Sequence, residues 1–120
     1  MSTSKLAILG CGNIGSAIAK GLAKSGMTKA NITLTRRKSE SLSELTQAGF
    51  QTTAENPDAV QNSEIILLTV GPSQLMDLLD EIKPHLTNEH LLISIVSGVK
   101  ITEIQEKVGK DIPIIRAMPN

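Results

Sequence analysis

Leu6-Ala7-Ile8-Leu9-Gly10-Cys11-Gly12-Asn13-Ile14-Gly15 decides how this sequence folds. Four apolar residues in succession suit a central parallel strand, which is covered on both faces and has no side to give to water. Behind the glycines, Ile14, Ala17, Ile18 and Leu22 recur at helical spacing, and Gly26 stands where a C-terminal cap belongs. The spacing Gly10-x-Gly12-x-x-Gly15 is a weak signal alone, because glycine-rich turns also serve packing. Between a strand and a helix it is a strong one. The first glycine permits the tight turn, the second lets backbone approach a pyrophosphate, and the third lets helix and strand pack closely. The helix N-terminus adds unpaired N–H groups and the positive end of its dipole. Gly10, Cys11, Gly12, Asn13, Ile14 and Gly15 therefore form a candidate phosphate cradle. Cys11 contributes backbone, since no neighbouring base in sequence would activate its thiol.

The remaining elements alternate in the same sense. Asn31–Thr35 is rich in β-branched residues and reads as a second strand. Ser41-Leu42-Ser43-Glu44 has the capping-box pattern of a helix that Gly49 ends, before a short strand near Phe50–Thr53. Asn56-Pro57 opens another short helix. Glu64–Val70 reads as the next strand, followed by a helix carrying Leu75, Met76, Leu79 and Ile82 that Pro84 closes. His90–Val96 gives a fifth strand, Thr102-Glu103-Ile104-Gln105 a capping box that starts a last helix, and Ile112–Met118 a sixth strand. Strands alternating with helices imply βαβ units with right-handed crossovers. The expected fold is α/β, a Rossmann-type doubly wound parallel sheet of strand order 3-2-1-4-5-6, in one domain over residues 1–120.

Composition narrows the partners. Hydrophobic residues make up 40% and charged residues 20% of the 120, the balance of an ordinary water-borne domain. Twelve basic residues match twelve acidic ones, and Phe50 is the only aromatic, so neither the field nor the stacking platforms of a nucleic-acid binder are present. The apolar runs Ile65–Val70 and Leu91–Val99 fall short of the ~20 residues of a membrane span. Residues Met1–Gly12 lack a signal peptide, and one cysteine excludes an internal disulfide framework, so a cytoplasmic protein is expected. No metal site is expected either: His85 and His90 have no partner at ligand spacing and read as surface residues. Asp77, Asp80 and Glu81 read as the solvated side of an amphipathic helix.

The choice of dinucleotide rests on the end of the second strand. A domain for NAD places Asp or Glu about 20 residues past the glycines, against the ribose 2′-hydroxyl. Here the sequence is Thr35-Arg36-Arg37-Lys38. A carboxylate would repel a 2′-phosphate, whereas a guanidinium pairs with it through a fork of hydrogen bonds. NADP(H) is the expected cofactor, with Arg36 directly after the strand as its main contact and Arg37 and Lys38 adding positive potential. The same substitution argues against a methyltransferase. Asn56 either caps the helix before Pro57 or approaches the adenosine side.

Gly10–Leu22, Thr69-Val70-Gly71-Pro72, Ser94–Val99 and the final Arg116-Ala117-Met118-Pro119-Asn120 together resemble pyrroline-5-carboxylate reductases over nearly the whole chain. The resemblance implies NADPH-dependent reduction of a small cyclic imine, 1-pyrroline-5-carboxylate, to proline. It also implies a helical domain, absent from this chain, that forms dimers and completes the substrate site, leaving the isolated chain inactive. Carried over by position, Gly10, Gly12, Asn13, Ile14 and Gly15 would hold the pyrophosphate, and Thr35, Arg36 and Asn56 the 2′-phosphorylated ribose. Val70, Gly71 and Pro72 would line the nicotinamide ribose, and Ser97, Gly98, Met118, Pro119 and Asn120 the nicotinamide and substrate. The family commonly has Lys where Gly71 stands and Ala where Ser97 stands. No catalytic side chain is implied. Rival readings are another NADP-dependent oxidoreductase, resembling F420-dependent NADP reductases or hydroxyacid dehydrogenases, and a non-catalytic NADP(H)-sensing module.

Overall fold

A computed structural model describes residues 4–10, 12–36, 42–109 and 111–117. Its six strands are β1 (Leu6–Leu9), β2 (Ile32–Thr35), β3 (Gln51–Thr53), β4 (Ile65–Leu68), β5 (Leu91–Ser94) and β6 (Ile114–Arg116). They form one sheet of order β3-β2-β1-β4-β5-β6 in which every pairing is parallel. This is the doubly wound sheet expected from the alternation of elements.

The unbroken apolar runs are explained by burial on both faces. Along β1, Ala7 and Leu9 enter one core while Leu6 and Ile8 enter the other; along β4, Ile66 and Leu68 go one way and Leu67 the other. Helices α1 (Asn13–Lys24) and α2 (Ser43–Gln47) belong to the second core through Ala19 and Leu45. Helices α3 (Asn56–Gln61), α4 (Pro72–Ile82) and α5 (Ile101–Val108) cover the first through Val60, Leu75, Leu79, Ile82 and Ile104. Gly26 follows α1 at φ 118, with Met27 N–H reaching Leu22 C=O at 3.0 Å and Gly26 N–H reaching Ala23 C=O at 3.2 Å, so this glycine permits the left-handed stop that the sequence indicated. Among the described residues no helix is long and apolar enough to cross a membrane.

Element ends differ from the sequence reading for local reasons. Asn31 belongs to a 3-10 turn, Lys29–Asn31, and β2 starts one residue later. β4 stops at Leu68 because the Thr69 hydroxyl donates to Leu9 C=O at 2.7 Å and the chain then turns towards α4. β5 likewise covers less than His90–Val96, and β6 less than Ile112–Met118, whose last residue lies outside the described ones. Neither capping box is seen as expected. The Ser41 half of the first lies outside the described residues, and α2 starts at Ser43 behind Leu42. Thr102 sits inside α5, whose N-cap is Lys100.

His90 is a correction. It is buried at 8% exposure, with Nδ1 accepting the Thr87 N–H at 2.9 Å and Nε2 donating to Val60 C=O at 3.0 Å. A neutral ring can do both at once, and so a histidine with a core position was read as a surface one. His85 is half-buried, with Nδ1 accepting from Gln61 at 2.7 Å.

Candidate functional site

Because all strands are parallel, their C-terminal ends gather on one edge of the sheet, and the direction of winding reverses between β1 and β4. Ligands of such sheets bind in the crevice at that reversal. A cleft of about 490 Å³ lies there. It brings together six residues anticipated from sequence, Gly10, Gly12, Thr35, Arg36, Asn56 and Val70.

The two glycines at its floor are required for different reasons. Gly10 has φ 74, and a Cβ there would collide with the Val70 side chain, so the turn out of β1 excludes any other residue on both counts. Gly12, the N-cap of α1, has φ −105, and a Cβ there would meet no atom within 4 Å. Among the described residues, nothing in the packing asks for glycine at position 12. The space it leaves is open to the cleft, which is what close approach of a bound phosphate needs. Among the described residues no acidic side chain lies in the first turn of α1, whose positive dipole end is at this side of the cleft. Gly15 is buried in that first turn, while Asn13 and Ile14 are exposed.

Thr35, 1% exposed, ties the cleft together. Its hydroxyl accepts the Gly10 N–H at 3.0 Å and donates to Asn56 Oδ1. Asn56 is not the helix N-cap; Glu55 holds that position, which frees the Asn56 amide to reach Thr35 and, through Nδ2, Glu81 Oε1 at 2.7 Å. Arg36, half-buried at the cleft rim directly after β2, is where a carboxylate for a ribose 2′-hydroxyl would otherwise stand. Among the described residues no carboxylate pairs with it.

Other anticipated residues sit nearby without lining this cleft. Gly71 is the N-cap of α4 with Pro72 first in the helix, and both are exposed. The Gln74 amide reaches back to the Gly71 N–H at 3.4 Å. Ser97 and Gly98 follow β5, Gly98 with φ 80. Cys11, Arg37, Lys38, Met118, Pro119 and Asn120 lie outside the described residues.

Sequence reasoning found α4 but not its place in the cleft wall. Gln74, Asp77 and Glu81 line the cleft, so part of the acidic stretch read as merely solvated is a wall of the site. Asp80, on another side of the helix, instead pairs with Lys107 at 3.0 Å. The available signal was spacing: Asp77 and Glu81 are four apart and share one helical face.

Comparisons with known proteins agree with this geometry. The sequence profile of the family described as NADP oxidoreductase, coenzyme F420-dependent, matches residues 5–98. The chain is 48% identical over 116 residues to pyrroline-5-carboxylate reductase 1 of Dictyostelium discoideum, covering 96% of this chain and 21% of that protein. It is 42% identical over 123 residues to reductase 2 of the same organism, covering 99% and 41%. The structure of a pyrroline-5-carboxylate reductase from Coxiella burnetii superposes with a TM-score of 0.93 at 33% identity, over 99% of this chain and 45% of that one. The Plasmodium falciparum pyrroline carboxylate reductase, solved with NADP bound, does so with a TM-score of 0.86 at 30% identity, over 100% and 44%. The chain thus spans less than half the length of these relatives. A glycine turn at the sheet's reversal point and a matching profile over most of the sequence agree: the chain belongs to the NADP oxidoreductase, coenzyme F420-dependent family, where its sequence and fold align with the pyrroline-5-carboxylate reductases.

Proposed function

We propose that this chain binds NADP(H) and is the cofactor-binding part of an NADPH-dependent reductase that converts 1-pyrroline-5-carboxylate to proline. The observation that carries the cofactor assignment is the cleft at the reversal of the sheet, where Gly10, Gly12, Thr35, Arg36 and Asn56 come together. In this reading the first turn of α1 takes the pyrophosphate on its N–H groups, and Gly15 lets the helix pack close enough to do so. Arg36 pairs with the 2′-phosphate, aided by Asn56 and by Arg37. Val70, Gly71 and Pro72 border the nicotinamide ribose, and Ser97, Gly98, Met118, Pro119 and Asn120 the reacting end.

When bound, NADPH supplies the hydride. A protonated cyclic imine is already electrophilic, so what is asked of the protein is alignment of donor and acceptor and exclusion of water. The helical dimerisation and substrate domain of such a reductase lies outside these 120 residues, the working enzyme is a cytoplasmic homo-oligomer, and the chain alone binds cofactor with little turnover. The proposal for substrate is favoured over the deazaflavin in the family's description by the 48% identity to a named reductase.

Calorimetric titration of the chain with NADPH and NADH, beside Arg36→Ala, tests the cofactor assignment. NADPH should bind more tightly, and the variant should lose about tenfold or more of that advantage, as expected for a charge-assisted pair. Binding of neither cofactor, or equal binding unaffected by the variant, overturns it. For the substrate, consumption of NADPH by the oligomeric enzyme is followed with the imine, a keto acid and a deazaflavin; turnover of only the last two overturns the proline reading.

A further inference from the structure

The relay that ends on α4 has a fixed polarity. The Gly10 N–H can only donate, and the Thr35 hydroxyl accepts it at 3.0 Å. At the other end the Glu81 carboxylate can only accept, and Asn56 Nδ2 meets Oε1 at 2.7 Å. The Asn56 amide is therefore held one way round: its oxygen takes the Thr35 hydroxyl hydrogen, and its nitrogen faces Glu81. Turned over, it would set its carbonyl oxygen against a carboxylate. Without Glu81 that penalty disappears, because a Thr hydroxyl can face either half of an amide. One Nδ2 hydrogen of Asn56 keeps no partner among the described residues and belongs to the same cleft as Arg36.

We infer that Glu81 is a positioning residue for cofactor discrimination: it orients the Asn56 amide so that a donor, not an acceptor, is offered to the 2′-phosphate. The inference rests on the proposed NADP(H) site. It runs against the simple electrostatic expectation. A carboxylate in the wall of a phosphate site repels the ligand, so its removal should tighten NADPH binding if charge were all that mattered. Through Asn56 its removal weakens binding instead.

The opposite signs make the test. NADPH and NADH are titrated calorimetrically into the wild-type chain and into Glu81→Ala, Glu81→Gln, Asn56→Ala and the Asn56→Ala/Glu81→Ala double variant, after thermal melts show each folded. Glu81→Ala should weaken NADPH about five- to tenfold and NADH much less, the size of one lost polar contact. Glu81→Gln, whose amide can meet either half of the Asn56 amide and so no longer dictates its orientation, should recover only part of the loss. In the double variant the Glu81 substitution should add no further weakening, the non-additivity of residues acting through one another. Unchanged or tighter NADPH binding by Glu81→Ala, equal losses for both cofactors, or full additivity with Asn56→Ala overturns the inference while leaving the cofactor site standing. A wild-type chain that binds neither cofactor overturns both.

Discussion

Gly10 and Thr35, 25 positions apart, are joined by a hydrogen bond of 3.0 Å from the backbone N–H of the first to the hydroxyl of the second. It couples the end of β1 to the end of β2, so the turn that forms the cradle and the residue before Arg36 are held as one piece. Thr35→Val keeps the shape and the β-branch and removes only the hydroxyl, leaving the Gly10 N–H without its acceptor. A loss of about 1–3 kcal/mol is expected, read by chemical denaturation, together with weaker NADPH binding.

The two glycines of the cradle should separate stability from binding. Gly10→Ala meets both a positive φ and the Val70 side chain, and should destabilise the fold by about 2 kcal/mol or more. Gly12→Ala meets neither obstacle. Its melting temperature should stay near wild type while NADPH binding falls about tenfold or more, because the added methyl occupies the ligand's space. Equal damage to folding by both variants would contradict this.

Reversing the charge at the rim tests the 2′-phosphate contact from the other side. Arg36→Glu should prefer NADH, since a carboxylate suits a free ribose hydroxyl and repels a phosphate. Wild-type preference for NADPH should also shrink as salt is raised, and the variant should show no such shrinkage. A preference for NADPH that survives in Arg36→Glu would place the phosphate elsewhere.

Gly71 has φ −70, and a Cβ there would meet only the Gln74 amide oxygen at 3.9 Å, so the backbone does not require glycine. Gly71→Lys, which restores the residue common in the resembling family, should fold normally and tighten NADPH a few-fold by adding a cation beside the cleft. Loss of cofactor binding on this change would show that the backbone at Gly71 is itself in contact.

His90 precedes β5, at the edge of the sheet opposite the cleft. His90→Leu fills the same space but strands the Val60 carbonyl and the Thr87 N–H, at a cost of about 1–3 kcal/mol. Cofactor affinity measured below the melting range should not change.

The sheet was legible because β1 and β4 announce their environment. A strand with Ala7 and Leu9 in one core and Leu6 and Ile8 in the other has no polar position to confuse it with an edge. The strand order followed from crossover geometry and the cradle from the glycine spacing. What stayed illegible depends on partners far away in sequence. Nothing local says that Thr69 will turn the chain by bonding Leu9, that Asn56 will reach Thr35 from the start of its helix, or that Glu81 will line a cleft and meet Asn56. His90 was misread for the same reason, since one of its two partners is a carbonyl 30 positions earlier. Short polar patterns for helix starts failed where the backbone geometry put the cap elsewhere, as at Lys100.

The relay from Gly10 through Thr35 and Asn56 to Glu81 spans 25, 21 and 25 positions in its three steps. Each step joins segments far apart in the chain, so the cleft has no half-assembled form: until the chain has docked as far as α4, the Asn56 amide lacks its last partner. During refolding the pocket should appear late, in step with the last of these segments. Local opening of any one of them in the native protein should release ligand and expose amide hydrogens to exchange in all the others, so the nucleotide should slow exchange across the β1, β2, α3 and α4 ends as a single block.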